Sequence, residues 1–358
     1  MEHTDLITYP AYKVAVAHVA PVFLDLEATV AKACSVIEEA AQNGARLVAF
    51  PEAYIPAFPV WSELRAPIHN HDLFKRLAAN AVRVPGPQVT KICDCARESG
   101  IIVSMGINEG TDISVGCIWN ANLLIGEDGS ILNHHRKLVP TFFEKMIWAN
   151  GDGAGLRVSD TPLGRIGALI CGENTNPLAR FALMAQGEQV HISTYPPAWP
   201  TKDPQEGGNY DLAGAIHVRA GAHSFEAKCF NIVSSGFMDK PMRDAMADLD
   251  KNSGRILDNS PRGVSMVIGP DAETVGNLIS DSEGILYVDI DLEACVEPKQ
   301  FHDVVGYYNR FDIFKLTVDR SENRPVTFAA EEISGEADAS RESEPEDPNS
   351  SNILEITG

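Results

Sequence analysis

The chain has 358 residues, 44% of them hydrophobic, and carries 29 Lys and Arg against 50 Asp and Glu, a formal charge of −21. That length and apolar content suffice for a sizeable core, read as one large α/β domain, while the acidic balance excludes a nucleic-acid binder, which needs clustered Lys and Arg. No apolar run approaches the roughly 18 to 20 residues of a membrane span.

In chain order, Lys13 to Val19 reads as a strand, and Leu26 to Asn43 as an amphipathic helix with Val30, Ala33, Cys34, Ile37 and Ala41 at helical spacing, ended by Gly44. Arg46 to Phe50 is the next strand. A loop rich in proline and aromatic residues follows, from Pro51 to about Asn70; loops of that length in a compact domain are usually functional. Pro87 to Gly100 reads as a helix and Ile101 to Asn108 as a strand. Trp119 to Gly126 and Ile131 to Lys137 form a hairpin about the Glu-Asp-Gly turn at 127–129. Arg157 to Ser159 and Arg165 to Ile170 are short strands, and Pro177 to Gln186 is a helix with proline in its tolerated first turn. The strand Gln189 to Thr194, the helix Asp211 to Lys228, and strands at Cys229 to Ser235, Val264 to Ile268 and Ile285 to Ile290 complete the list of elements. Strands and helices interleave, with hairpins where connections are short, which implies two mixed sheets face to face between helical layers.

Seven cysteines (34, 93, 95, 117, 171, 229 and 295) are odd in number and scattered through apolar or helical segments. The pattern fits a reducing compartment rather than a disulfide framework, with Cys93 and Cys95 on different faces of one helix as packing residues. The start Met1-Glu-His-Thr-Asp5 lacks the basic head and apolar stretch of a signal peptide, so the expected location is cytoplasmic. The ten histidines show no ligand spacing, and neither metal nor cofactor is expected. From Glu331 to Gly358 nine acidic residues stand against Arg341 alone, a local charge of −8. Such a segment buries too little apolar surface to offset its ordering entropy, so residues 331–358 are expected to form a disordered acidic tail after a folded domain of residues 1–330.

Chemistry concentrates at strand ends. Leu47-Val-Ala-Phe-Pro-Glu52 ends a strand on a carboxylate; Arg136-Lys137-Leu-Val-Pro-Thr-Phe-Phe-Glu144 puts a lysine and a second carboxylate just after another; Ile166-Gly-Ala-Leu-Ile-Cys-Gly-Glu173 ends a third on a thiol. Taken singly, each has an ordinary reading as a helix cap, a solvated edge residue or a small core side chain. Strand exits of a layered α/β fold, however, bring distant side chains together over one cleft, and a thiol facing a helix N-terminus is expected to ionise more readily.

Phe50-Pro-Glu52, the Arg136-Lys137 step with Pro-Thr and Glu144, and Cys171-Gly-Glu173 resemble the Glu-Lys-Cys signature of the nitrilase superfamily of carbon-nitrogen hydrolases. Pro51 to Trp61, Trp148-Ala-Asn-Gly-Asp-Gly153, Ala185-Gln-Gly-Glu-Gln-Val-His191 and Phe225-Glu-Ala-Lys-Cys-Phe230 are similar to its true nitrilase branch, and the likeness runs from about Lys13 to about Val318. One departure stands out: many nitrilases carry Trp after the cysteine and His after the next Glu, where this chain has Gly172 and Asn174.

The resemblance implies a four-layer αββα sandwich and hydrolysis of a nitrile through thioimidate and thioester intermediates. It also implies Cys171 as nucleophile, Glu52 as base, Lys137 as the cation for developing charge, and Glu144 as a second carboxylate orienting Lys137. Tyr54, Trp61, Phe142, Tyr195 and Trp199, close in sequence to these positions or at a strand exit, are the expected walls of an apolar substrate pocket. An amidase of the same superfamily and a non-catalytic filament protein on the same fold are the rival readings. The family implies a homo-oligomer, a dimer or a helical filament, with the surface loops Lys202 to Asn209 and Met238 to Pro261 as candidate contacts.

Overall fold

Two β-sheets lie face to face between layers of helices in a computed structural model that describes residues 9–199, 202–324 and 326. The chain divides after Glu322, and every element below belongs to the Met1–Glu322 unit. The acidic stretch 331–358 lies outside the described residues.

The first half alternates β1 (Ala11–His18), α1 (Leu26–Gln42), β2 (Ala45–Ala49), α2 (His71–Ala79), α3 (Pro87–Ser99), β3 (Ile102–Gly110), β4 (Ile118–Ile125) and β5 (Ile131–Arg136). The second half runs β6 (Ser159–Thr161), β7 (Gly164–Ile170), α4 (Pro177–Met184), β8 (Val190–Tyr195), α5 (Leu212–Ala227), β9 (Phe230–Ser235), α6 (Lys240–Ala247), α7 (Ser253–Asn259), β10 (Met266–Ile268), β11 (Gly284–Asp291) and α8 (Val296–Phe301). One sheet has the order β11-β1-β2-β3-β4-β5 and the other β10-β9-β8-β7-β6. In each, three central strands are parallel (β1, β2 and β3; β7, β8 and β9) and antiparallel strands flank them.

The period of two along a strand explains the layering. In β1, Ala15 and Ala17 face Val30, Ala33 and Ile37 of α1 and Ile92 of α3, whereas Val14 and Val16 face the other sheet through Ile166, Val190 and Ile232. On the far side, Leu212, Ile216 and Ala220 of α5 pack on Val233 and Ile268, and Ala179 and Leu183 of α4 pack on Leu169. The order helix, sheet, sheet, helix is the expected four-layer sandwich.

Local chemistry sets the ends of these elements. Asp25 caps α1 by accepting from the Ala28 amide at 3.0 Å. Asn176 caps α4 through Leu178 and Ala179, and Pro177 supplies a preset φ at its first position.

Several expectations need correction. Arg157 to Ser159 is displaced, the strand being Ser159–Thr161. Helices α2, α6, α7 and α8 were not anticipated, because runs of six to nine residues are too short for a periodic signal to emerge from a window of about 11 to 18. Met238 to Pro261 is not simply a surface loop: Met242, Met246 and Leu257 are buried against Trp61, Leu77 and Trp148. Cys34 on α1 and Cys95 on α3 are joined by a disulfide, with Cα atoms 5.8 Å apart, where only packing cysteines were expected. The two cysteines are 61 residues apart in sequence, a pairing that spacing does not encode.

Candidate active site

Lys137 and Cys171 directly follow the last residues of β5 and β7, and Glu52 stands in the turn three residues beyond the end of β2. Glu144 stands in a short 3-10 turn, Phe142–Met146. The fold brings all four together in its interior, the two carboxylates and the ammonium fully buried and Cys171 8% exposed. Lys137 Nζ donates to Glu52 Oε1 at 2.7 Å and to Glu144 Oε2 at 2.6 Å. Cys171 Sγ and an oxygen of each carboxylate lie within 4.8 Å of one another.

Each side chain is held in turn. Asn120 of β4 donates to Glu52 Oε1 at 2.7 Å. The Thr141 amide donates to Glu144 Oε2 at 2.6 Å in a capping box that fixes the turn. Lys137 is pinned by its backbone amide to Asn120 O at 2.8 Å, and its Nζ lies 5.7 Å from the Trp148 ring centre. Glu52 Oε2 and Glu144 Oε1 are buried without a protein partner, so one acceptor on each carboxylate is free for a proton or a reacting molecule.

The nucleophile turn has its own clamp. Glu173 accepts from the Ile170 amide at 2.8 Å and the Leu138 amide at 2.6 Å, and lies 2.9 Å from His135 Nε2. Burial opposes ionisation here, yet the charge of His135 and these hydrogen bonds hold the Glu173 carboxyl below its ordinary value. Cys171 itself has φ 51°, the left-handed region that a residue with a Cβ seldom adopts. A Cβ placed on Gly172 would meet Thr141 Oγ1 at 2.7 Å, so the glycine lets the Cys171 and Glu144 turns close on each other.

Burial dominates the electrostatics. It raises Glu52 to about 7, Glu144 adding to the effect and Lys137 opposing it. The Lys137 ammonium, destabilised by burial, is more than compensated by Glu144, Glu52 and Cys171 and stays charged. Burial, then the Glu52 charge, pushes the Cys171 thiol well above its ordinary value. This corrects the expectation of a thiolate favoured by a helix N-terminus: α4 begins only at Pro177, and its first free amides are satisfied by Asn176. The sulfur is therefore a thiol at neutral pH, and a neighbouring base must take its proton as it reacts.

The expected pocket residues separate. Tyr195 is buried with Cys171, Ile170 and Leu212, and Trp199 packs against that cluster. Trp61 is buried in an adjoining cluster with Phe58 and Trp148, which Trp199 also borders. Tyr54 instead belongs to the core cluster under α1 and α3, its ring 5.2 Å from Phe50. Phe142 is 78% exposed; its neighbour Phe143, missed in the sequence, points inward and stacks on Trp199 at 4.2 Å. The adjacent Phe-Phe pair left no means of choosing between them. Asn120, supporting Glu52 from a strand with no charge of its own, gave no signal at all. Next to Trp61, a cavity of about 450 Å³ opens between the 60–75 segment and Met146 and Ile147.

Among the described residues, two buried groups bring three potential metal ligands within 4.8 Å: Glu52, Glu144 and Cys171, and Glu188, His223 and Cys229. In the first, the Lys137 ammonium already occupies the space between the carboxylates, and in the second both Glu188 oxygens are engaged by His191 and His223. Neither arrangement fits a cation.

The carbon-nitrogen hydrolase family model matches residues 13–300. An arylacetonitrilase of Aspergillus kawachii is 35% identical over 328 residues, covering 91% of this chain and 97% of its own. A nitrilase of Paraburkholderia phymatum is 32% identical over 316 residues, 88% of each chain. Among solved structures, a carbon-nitrogen hydrolase from Helicobacter pylori superposes with a TM-score of 0.63 at 20% identity, covering 81% of this chain and 92% of its own. A Saccharomyces cerevisiae member of branch 10 of the nitrilase superfamily gives 0.62 at 19% identity, covering 83% and 96%.

Proposed function

The chain belongs to the carbon-nitrogen hydrolase family, on its nitrilase branch, and from that premise we propose that it hydrolyses an organic nitrile to the carboxylic acid and ammonia through a covalent intermediate on Cys171. The observation that carries this reading is a thiol with two carboxylate oxygens within 4.8 Å, both carboxylates bridged by one lysine.

In this mechanism Glu52 takes the Cys171 proton as sulfur attacks the nitrile carbon, forming a C–S bond while one C–N π-bond breaks. Negative charge grows on nitrogen and is met by the Lys137 ammonium, whose effect is large because the site is dry and preorganised. Glu52 returns the thiol proton to the nitrogen, giving a neutral thioimidate and restoring the carboxylate. Water then adds to its carbon, losing a proton to Glu52 that is passed on to the nitrogen, and the tetrahedral adduct expels ammonia as its hydroxyl gives up a proton, leaving a thioester. A second water cleaves the C–S bond, releasing the acid and the thiol. Glu144 holds Lys137 in place and keeps its charge. Tyr195, Trp199, Trp61 and Phe143 are the apolar side chains best placed to receive the organic part of the substrate.

The test is ammonia release across a panel of nitriles, with Cys171→Ala as control. Turnover by the wild type and none by the variant is expected; faster turnover of a matched amide would assign an amidase instead.

We further propose that the protein is a homo-oligomer, a dimer or a filament. Large apolar side chains exposed on the outer helical layer support this, Leu178 on α4 and Val218 and Phe225 on α5. Light scattering after size exclusion should find no monomer. Folded residues up to about 330 and an acidic tail beyond them complete the proposed organisation. The proposed compartment is the cytoplasm, in keeping with five free cysteines, although the Cys34–Cys95 bridge runs against it.

A further inference from the structure

Behind Cys171 a chain of buried polar groups runs away from the reacting atoms, and the chemistry described above makes no use of it. Asn174 Nδ2 donates to Leu169 O at 3.2 Å and to Cys171 O at 3.1 Å. Its Oδ1 lies 2.9 Å from His191 Nε2, and His191 Nδ1 lies 2.7 Å from Glu188 Oε1. Glu188 Oε2 in turn lies 2.7 Å from His223 Nε2, and the two imidazoles stack with centroids 3.7 Å apart. All four side chains are 2% exposed or less.

The hydrogen-bond roles are fixed by elimination. Reversing the Asn174 amide would set its oxygen against two carbonyls, so Nδ2 faces them and Oδ1 faces His191. His191 is thereby held at both ring nitrogens, Nε2 against Asn174 Oδ1 and Nδ1 against Glu188 Oε1. His223 donates its single proton from Nε2, and its Nδ1 has no partner. Burial and then the His191 charge lower His223 to about 4. Burial opposes the Glu188 charge, yet the two histidines hold that carboxyl at about 2. Position 167 of β7 is also shaped for this arrangement: a Cβ on Gly167 would sit 2.1 Å from Glu188 Oε1.

The chain of bonds ends on a strained atom. A left-handed backbone at a residue other than glycine is strained and persists only where the surroundings over-determine it. Two buried hydrogen bonds from one amide, to Leu169 O and Cys171 O, hold Cys171 at φ 51° as long as the amide cannot turn. We propose that Asn174 is a positioning residue, locked by the His191–Glu188–His223 relay, that keeps the Cys171 backbone in the conformation from which its sulfur attacks. This rests on Cys171 being the nucleophile.

Two substitutions at His191 separate this role from simple packing. In His191→Gln the amide nitrogen reaches the place of Nε2 and keeps the bond to Asn174. In His191→Asn it replaces Nδ1 and keeps only the bond to Glu188. Ammonia release should give a kcat lowered about 10- to 100-fold in Asn174→Ala and His191→Asn, the scale of a misplaced reacting group, with KM within about threefold of wild type; His191→Gln should retain most of kcat. The rate of iodoacetamide alkylation of Cys171, followed on its own peptide by mass spectrometry, should rank the variants in the same order. Wild-type kcat in Asn174→Ala, or a better His191→Asn than His191→Gln, overturns the proposal, and the His191 pair decides it if Asn174→Ala does not fold. Full turnover in Cys171→Ala would instead overturn the nucleophile assignment, a distinguishable result.

Discussion

Glu173 reaches from the turn that carries Cys171 to the backbone amide of Leu138, 2.6 Å away, and so ties the thiol's strand to the lysine's. The same carboxylate also meets the Ile170 amide and His135, making it the rivet between the two sheets at the site. Glu173→Gln replaces one of the two acceptor oxygens by a donor, which sets an NH2 group against one of the two amides. We expect a loss of about 1–3 kcal/mol in stability, measured by urea denaturation, and a fall in kcat larger than the change in KM.

Lys137→Met leaves two carboxylates buried without their counter-charge. Removing one partner of a buried ion pair costs about 3–5 kcal/mol, so the variant should melt well below the wild type at pH 8. It should regain stability as the pH is lowered and Glu52, raised toward 7 even with the lysine present, takes up a proton. Thermal melts at pH 8 and pH 5.5 check both parts.

The base form of Glu52 is required in the proposed mechanism, and its carboxyl is raised to about 7, chiefly by burial. Its charged fraction grows as the pH rises through that value. The profile of kcat/KM should therefore have an acidic limb near pH 7, well above an ordinary carboxylate. A limb near 4.5 would contradict this.

Gly172→Ala puts a methyl 2.7 Å from Thr141 Oγ1 and should separate the turns of Cys171 and Glu144, lowering kcat about tenfold or more. Removing the hydroxyl in the double variant Gly172→Ala/Thr141→Ala should recover part of the loss. Additive effects in the double-mutant cycle would deny the contact.

His223 is lowered to about 4 in the fold, so it favours the native state only while neutral. Its contribution is complete above its unfolded value of about 6.5 and is lost as the pH falls toward 4. Melting temperatures should drop across that interval, and less steeply in His223→Gln.

The sandwich was legible because β1, β2 and β7 are largely apolar on both faces and α1 and α3 carry clear helical stripes, signals that survive without tertiary information. The four charged or thiol side chains now found together were legible as well, since each follows directly from a strand end or a turn beside one. The choice of Phe142 over Phe143 was not, because a single backbone turn with φ 48° at Phe142 decides which ring faces in. Nor was the ionisation of Cys171, which depends on burial and on charges arriving from two other strands.

Sharing one ammonium between two acids has a final consequence. When Glu52 holds a proton, Lys137 and Glu144 cancel, and an uncharged guest can settle there without bringing a counter-ion. If the guest leaves as an acid, it becomes an anion in a dry chamber that already holds two carboxyl groups and a single cation. Repulsion then favours its departure, so an arrangement suited to making the product is poorly suited to keeping it.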